Sequence, residues 1–590
     1  MAGTASRMAG TSRRRAACSS ATSGCSGVDV TRRDFLTLIA VAGGLGALPP
    51  RALAQQLEPA RLVDFQALGN VTLLHMTDAH ATLNPVYYRE PDTLIGVGDE
   101  AGKPPFLTGE ALLRAYGIHR GTAEAYALSH LDFEALAARY GRMGGYAHLA
   151  TLVKRVRDAR PGRTLLLDGG DTLQGSATAL WTRGLDMVRV MNQLGVEAVT
   201  PHWEFTHGLE RVKELFGDKD SRGLFQGDFV CHNARELNWD EPVFAPYTIK
   251  HVGGVAVGVI GQAFPYVPVS HPARFVPGLT FGIQDAQAQR LVDELRDVKN
   301  VDVVVLLSHN GLSTDVKMAG RVRGIDVILG GHTHDGLPVP IAVGRTLVVN
   351  SGAHGKFLSR LDLDIAGGRV RAHRYKLVPV LSNYVAEDAE MARVIRELRA
   401  PWAARLEERL AVSESLLYRR GNFTGSFDEI VLDALLKQSD AEVAFSPGFR
   451  WGVTIVPGQV ITLEDVYAHT GITYPNTLTR ELTGAEIHRI MEDVADNLFH
   501  PDPYYRQGGD MVRLGGLSYV IDPRQGMGRR ISEIKVGGMP LAGDRRYKTV
   551  SWATPGPEAP GPAAFDVVAA HLRGLGRVRI DPRPRVRVVQ

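Results

Sequence analysis

Six stretches of the chain begin with a Val/Leu/Ile run and end in a polar, glycine-punctuated segment. They are VTLLHMTDAH from Val71, RTLLLDGGDT from Arg163, GVAVGVIGQAF from Gly254, VDVVVLLSHNG from Val301, DVILGGHTH from Asp326 and TLVVNSGAHG from Thr346. Apolar runs of this length without alternation mark strands buried on both faces. Between them, LDFEALAARYG, HLATLVKRVRDA and DAQAQRLVDELRDV place apolar residues at helical spacing. Strand, loop and helix in alternation predict an α/β layered domain over residues 66–378.

Residues 81–130 are long for a strand-to-helix connection and rich in Pro, Gly and Tyr, which predicts a working loop beside the first polar segment. A charged helical stretch over 386–411 reads as a linker. Beyond it, FDEIVLDALLKQSDAEVAFSPG and LTGAEIHRIMEDVADNLF read as helical, while GGLSYVID, ISEIKVGG and RYKTVSWAT read as strands. These predict a second, smaller α+β domain over 412–585.

At 590 residues the chain exceeds a single core, and 44% apolar with 22% charged residues is an ordinary globular composition. The formal charge of +3 is uneven: residues 1–54 hold seven Arg, no Lys and two Asp, a net +5, which leaves −2 for the rest. That balance gives no reason to expect a nucleic-acid partner or attraction to a membrane surface. The leader TRRDFLTLIAVAGGLGALPPRALA joins Arg32 and Arg33 to an apolar run too short to span a bilayer, then a small-x-small site at Ala52-Leu53-Ala54. Residues 1–54 therefore read as a removable signal with no membrane anchor. The segment resembles a twin-arginine (Tat) signal, which implies export of an already folded protein to the periplasm. Of three cysteines, Cys18 and Cys25 lie in this leader, so the remainder has no partner for Cys231 and no Cys-based metal or nucleophile site. Cys231 reads as a buried small hydrophobe. Nothing in the sequence demands more than a monomer.

Polar residues gather where the predicted strands end: Asp78 and His80 in TDAH, Asp168 and Asp171 in DGGD, His202 in PHWEFTHG, His309 in SHNG, His332 and His334 in GGHTH. Separate loops converge beyond the carboxyl ends of strands in layered α/β sheets. One such His is ordinarily structural, and Asp-Gly-Gly-Asp alone is ordinarily a turn. Together, so many imidazoles and carboxylates need a cation to compensate them. The mixed set suits Mn, Fe or Zn, and a bridging Asp allows two ions about 3.5–4 Å apart.

With those motifs the chain resembles the calcineurin-like metallophosphoesterases, and with the second domain it resembles the 5′-nucleotidase family. The resemblance implies a layered metallophosphoesterase β-sandwich flanked by helices plus a 5′-nucleotidase-type C-terminal domain. It also implies a ligand set: Asp78, His80, Asp171 and His334 on one ion, with Asp171 bridging to a second held by His202, His309 and His332. That family carries Gly-Asn-His-Glu where this chain has Pro201-His202-Trp203-Glu204. The family's Asn is a ligand and its His protonates the leaving oxygen. His202 can still bind metal, whereas Trp203 cannot donate an acidic proton. General-acid help is worth about 10²–10⁴-fold for a basic leaving group, and a sulfur anion needs far less.

The segments HWEFT, GQAFPY, SGAHGKFL, YRRGNF, SPGFRWG, EDVADNLF and DPYYRQGGDMVR resemble the thiosulfohydrolase family of the sulfur-oxidising (Sox) system. The departures are Pro201 for the usual Gly and His207 for a common Tyr. This resemblance implies two manganese ions, with Zn or Fe not excluded. It implies a thiosulfonate carried on a cysteine near the C-terminus of the SoxYZ carrier, hydrolysed to sulfate and a persulfide. Asp171, Arg450 and Trp203 are then the expected catalytic residues, and Arg450, Asn233 and His354 the expected substrate contacts. Arg450 offers a donor fork matched to sulfonate oxygens; Asn233, like His232, follows an apparent strand. Trp203, Tyr474, Tyr504 and Tyr505 are expected to line a narrow channel for the carrier arm. The alternatives are a 5′-nucleotidase-like phosphoesterase and a non-catalytic, metal-stabilised protein that binds a sulfur carrier.

Overall fold

In the computed structural model of the chain, residues 63–581 and 585–589 are described. The expected signal over 1–54 lies outside them. Each of the six apolar runs forms a strand: Val71–Met76, Thr164–Asp168, Val255–Gln262, Val303–Ser308, Val327–Gly330 and Thr346–Asn350. They lie in two six-stranded sheets. In one, Val71–Met76 is antiparallel to Phe357–Ile365 and parallel to Thr164–Asp168; in the other, Val303–Ser308 lies between Val255–Gln262 and Val327–Gly330, all parallel.

Side-chain alternation along these strands builds the layers. Val71, Leu73, Leu165 and Leu167 meet Val257, Val305 and Leu329 in a dry seam between the sheets. Leu74, Met76 and Leu166 face outward onto the helices Tyr146–Ala159 and Leu185–Leu194. Leu306, Ile328 and Val348 face the helices Asp285–Asp293 and Leu312–Arg321. The outcome is a four-layer helix–sheet–sheet–helix stack, the expected sandwich. Each apolar run is buried on both faces, so its polar tail is free to serve only at the strand's end. Among the described residues no helix is long and apolar enough to cross a membrane.

From Arg409 onward a second set of sheets and helices forms its own cores. The charged linker is helical over Ala389–Arg399 and breaks into short turns around Pro401, which cannot continue a helix. Two elements differ from the sequence reading. Helix Ser426–Ser439 stops at Asp440, in left-handed backbone, and AEVAFS continues as strand Val443–Ser446. The 81–130 segment is not all loop: it contains helices Gly109–Tyr116 and Ala123–Leu128.

The first part of that insertion straps the second lobe to the metal-domain sandwich. Tyr87 bridges Thr454, and the Arg89 amide donates to Thr454 Oγ1 at 2.8 Å. The Ile95 amide donates to Asn422 Oδ1 at 2.8 Å, and Glu100 pairs with Arg506.

Candidate metal centre

The polar strand ends meet. Asp78, His80, Asp171 and His334 present ligand atoms within 4.8 Å of one another, and so do Asp171, His202, His309 and His332. Asp171 belongs to both groups. Its Oδ1 lies 3.0 Å from His202 Nδ1, and its Oδ2 lies 3.0 Å from His309 Nε2 and 3.8 Å from His80 Nε2. His334 Nε2 lies 3.2 Å from Asp78 Oδ1. All seven residues predicted as ligands are thus brought together.

The cage fits cations on the geometry of its own atoms. His80 Nε2 and His334 Nε2 face each other at 3.0 Å. His309 Nε2 is buried with no hydrogen bond of acceptable geometry. Burial, reinforced by neighbouring positive charge, drives the His332 and His334 imidazoles well below their ordinary range, so their lone pairs stay available. Burial opposes ionisation of Asp171, yet His202 and His309 overcome it and hold its carboxyl well below the usual range. Burial would depress His309, but Asp171 and Asp78 push it up to about 10.

Three of the five imidazoles have their rear nitrogen fixed as metal ligands require, whereas His334 Nδ1 is buried without a hydrogen bond. His309 Nδ1 lies 2.5 Å from Gly169 O, His80 Nδ1 lies 3.1 Å from Gln174 O, and His332 Nε2 lies 3.1 Å from Gln507 O. Asp78, His80, Asp171, His332 and His334 all have positive φ, between 45° and 73°. Left-handed backbone outside glycine costs on the order of 1–3 kcal/mol per residue and persists where the surroundings enforce it. Two loops enforce it here: Asp78 N donates to Gly170 O, and His80 N to Asp171 O, each at 2.8 Å.

Glu204, to which the sequence reading gave no role, holds three amides of the ligand loops. Its carboxylate accepts from His202 N at 2.7 Å, Thr172 N at 2.7 Å and Asp171 N at 3.3 Å. Asp168 is no ligand; it accepts from Gly170 N and Thr172 Oγ1 and so closes the DGGD turn.

A cavity of about 200 Å³ opens onto the cage, lined by His202, Trp203, Phe264, His332, Arg450 and Trp451 among others. Trp203 is 4% exposed; its amide donates to Asp171 Oδ1 at 2.9 Å, and its indole packs on His271 and Trp451. Arg450 donates through Nη2 to Gly509 O at 2.7 Å, while Nε, 3.9 Å from Asp510 Oδ1, and Nη1 are buried without hydrogen bonds.

The other expected substrate contacts do not hold. Asn233 is buried and spent on backbone, donating to Ala263 O and Gly282 O and accepting from Ala263 N, so nothing remains for a ligand. His354 lies behind the cage: its Nδ1 meets Thr82 Oγ1 at 2.8 Å and its ring packs on His80 and Tyr88. It supports His80 instead of facing the cavity. Tyr474, Tyr504 and Tyr505 do not line this cavity either; the Tyr474 hydroxyl donates to Ser270 O at 2.6 Å. His232 is occupied by Gln262, and His207 belongs to neither ligand group. Arg420, 3% exposed, was missed: it borders a neighbouring cavity with His334 and its Nε has no partner. Its only mark in the sequence is one Arg of YRRGNF.

Sandwich, second lobe and seven-ligand cage define a hydrolase of the 5′-nucleotidase and calcineurin-like metallophosphoesterase class. Residues 412–563 match the family model of the 5′-nucleotidase C-terminal domain. Bovine (Bos taurus) 5′-nucleotidase is 24% identical over 457 residues, covering 69% of this chain and 76% of its own. A 5′-nucleotidase precursor of Thermus thermophilus shares the fold, with TM-score 0.68 at 22% identity over 88% of this chain and 99% of that one. The Thermus thermophilus sulfate thiohydrolase SoxB is 42% identical with TM-score 0.86, covering 89% of this chain and 98% of the solved one. The chain belongs to the SoxB family.

Proposed function

We propose that this chain is a thiosulfohydrolase that releases sulfate from a thiosulfonate borne on a carrier cysteine. The observation that carries the reading is an indole, Trp203, in the general-acid position beside an intact ligand cage. A site stripped of its proton donor but not of its ligands suits a leaving group that departs unprotonated. The kinship with SoxB points to the same chemistry, to a SoxYZ-type carrier and, with the leader, to the periplasm.

In the balanced step, a water oxygen bonds to the sulfonate sulfur and the sulfur–sulfur bond breaks. Its electron pair stays on the carrier sulfur as a persulfide anion, while sulfate and two protons are released. When bound, two divalent cations, manganese in this reading, supply Lewis acidity and bring the pKa of water toward neutrality. Asp171 reaches both clusters and fixes their spacing. Arg450, whose Nη1 is buried without a hydrogen bond, lines the cavity and offers charge-assisted bonds to the sulfonate. Trp203, Phe264, Phe449 and Trp451 exclude water from the breaking bond.

The test is sulfate release from a thiosulfonate-bearing carrier, with and without Asp171→Ala. Sulfate from the wild type, and none from a folded Asp171→Ala, is expected. Rapid AMP hydrolysis without sulfate release would select the phosphoesterase alternative; carrier binding without either would select the non-catalytic one.

A further inference from the structure

Besides the cavity that Arg420 borders with His334, two more border the metal centre. Beside the one already described lies a second, of about 70 Å³, and His332, Arg450, Asn497 and Gly508 line both. The second runs out between Ser313 and the insertion residues Leu94, Pro105 and Phe106, all half-buried, so it reaches the surface on its own.

Much of the partition is backbone. Gln507, Gly508 and Gly509 cross in front of His332, held by His332 Nε2 against Gln507 O at 3.1 Å and by Arg450 Nη2 against Gly509 O at 2.7 Å. Gly508 has φ +75°, and a Cβ there would stand 2.4 Å from His332 Nε2, so only glycine fits. Gly509 also has positive φ, at 82°.

The proposed reaction creates a routing problem. Its substrate is tethered to a protein, so the arm occupies the first cavity when sulfate forms. That cavity is then blocked by the arm, whereas the second stays free and is lined by Asn310, Thr314, Thr333, Arg450 and Arg506 among others. Arg450 faces both cavities, and its bond to a neutral carbonyl is weaker than one to an oxyanion. An oxyanion on Arg450 therefore competes with Gly509 O for Nη2 and loosens the strip that separates the two spaces.

We propose that sulfate leaves through the second cavity while the carrier arm still fills the first, guided across the Gln507–Gly509 strip by Arg450. This rests on the thiosulfohydrolase reading.

Ser313→Trp and Leu94→Trp narrow the exit from opposite walls without touching the ligand cage. Each variant is compared with the wild type on thiosulfonate-bearing carrier and on free S-sulfosulfanyl-cysteine, which leaves the first mouth open. On the carrier, steady-state kcat should fall at least tenfold while the first turnover, followed by quenched flow, keeps its rate. On the free compound both should be unchanged. An unchanged carrier kcat in both variants, equal losses on the two substrates, or a first turnover slowed as much as the steady state would overturn the exit route. Failure of the underlying reading looks different: the wild type itself then forms no sulfate from either substrate.

Discussion

Glu204 offers a perturbation whose size can be worked from its contacts. In Glu204→Gln the side chain keeps its shape, but one oxygen becomes an NH₂ donor. Oε2 accepts from His202 N and Asp171 N, whereas Oε1 accepts only from Thr172 N. The amide therefore settles with its oxygen at the pair and its NH₂ against Thr172 N–H. One bond is lost, a buried donor is left unsatisfied at about 1–3 kcal/mol, and the other two lose charge assistance. Burial first, and then the nearby Asp171 charge, raise the Glu204 carboxyl above its ordinary value, so removing the charge returns part of that cost. The net expectation is about 2–4 kcal/mol, or a melting point lower by roughly 2–4 °C for a chain of this length. Because the lost bonds fix the loops presenting Asp171 and His202, ion affinity should fall about 10–100-fold. Thermal melts and calorimetric metal titration on the purified chain measure both. A variant that melts within about 1 °C of the wild type and binds both ions normally would refute the assignment of Glu204 as the holder of these loops.

Trp203→His restores an imidazole beside the cage and should raise phosphomonoester hydrolysis at least tenfold, toward the 10²–10⁴-fold reach of a general acid; no gain with p-nitrophenyl or nucleoside monophosphates would contradict the leaving-group argument. Asn233→Ala should lower stability by about 2–4 kcal/mol through the unpaired Ala263 and Gly282 groups, yet leave KM unchanged in melts and kinetics run side by side. A raised KM at full stability would restore Asn233 as a substrate contact. Chelation should lower the melting point, because ions at a thousand times Kd contribute about 4 kcal/mol to the folded state, and readdition of Mn²⁺ should recover it; a melt indifferent to chelator would mean that the cage holds no structural charge.

The ligand cage was legible because each ligand except His202, which follows only the two-residue strand Ala198–Val199, comes after a strand whose apolar run is itself unmistakable, so the sandwich and the convergence of its loop ends came together. Residues whose role is set by where a distant loop happens to lie were not legible. Glu204 reads as one more polar residue until its three amides are seen, and Arg420 and Gly508 acquire meaning only across the boundary between lobes. Asn233 and His354 failed for the opposite reason: both follow strands near the centre, but the Asn233 amide is used up by backbone, and His354 turns Nδ1 to the Thr82 hydroxyl and packs its ring behind His80. Strand Val443–Ser446 was absorbed into the helical reading because DALLKQSDAEVAF holds apolar spacing past the point where Asp440 turns the chain.

The strap formed by Tyr87, Arg89, Ile95 and Glu100 stitches the second lobe to the sandwich at several points along one seam. A hinge that swung the lobes apart would have to tear a backbone bridge and two side-chain-to-amide bonds at once. On the thiosulfohydrolase reading, a lone extended tether suits a passage held in this way better than a bulky free metabolite does.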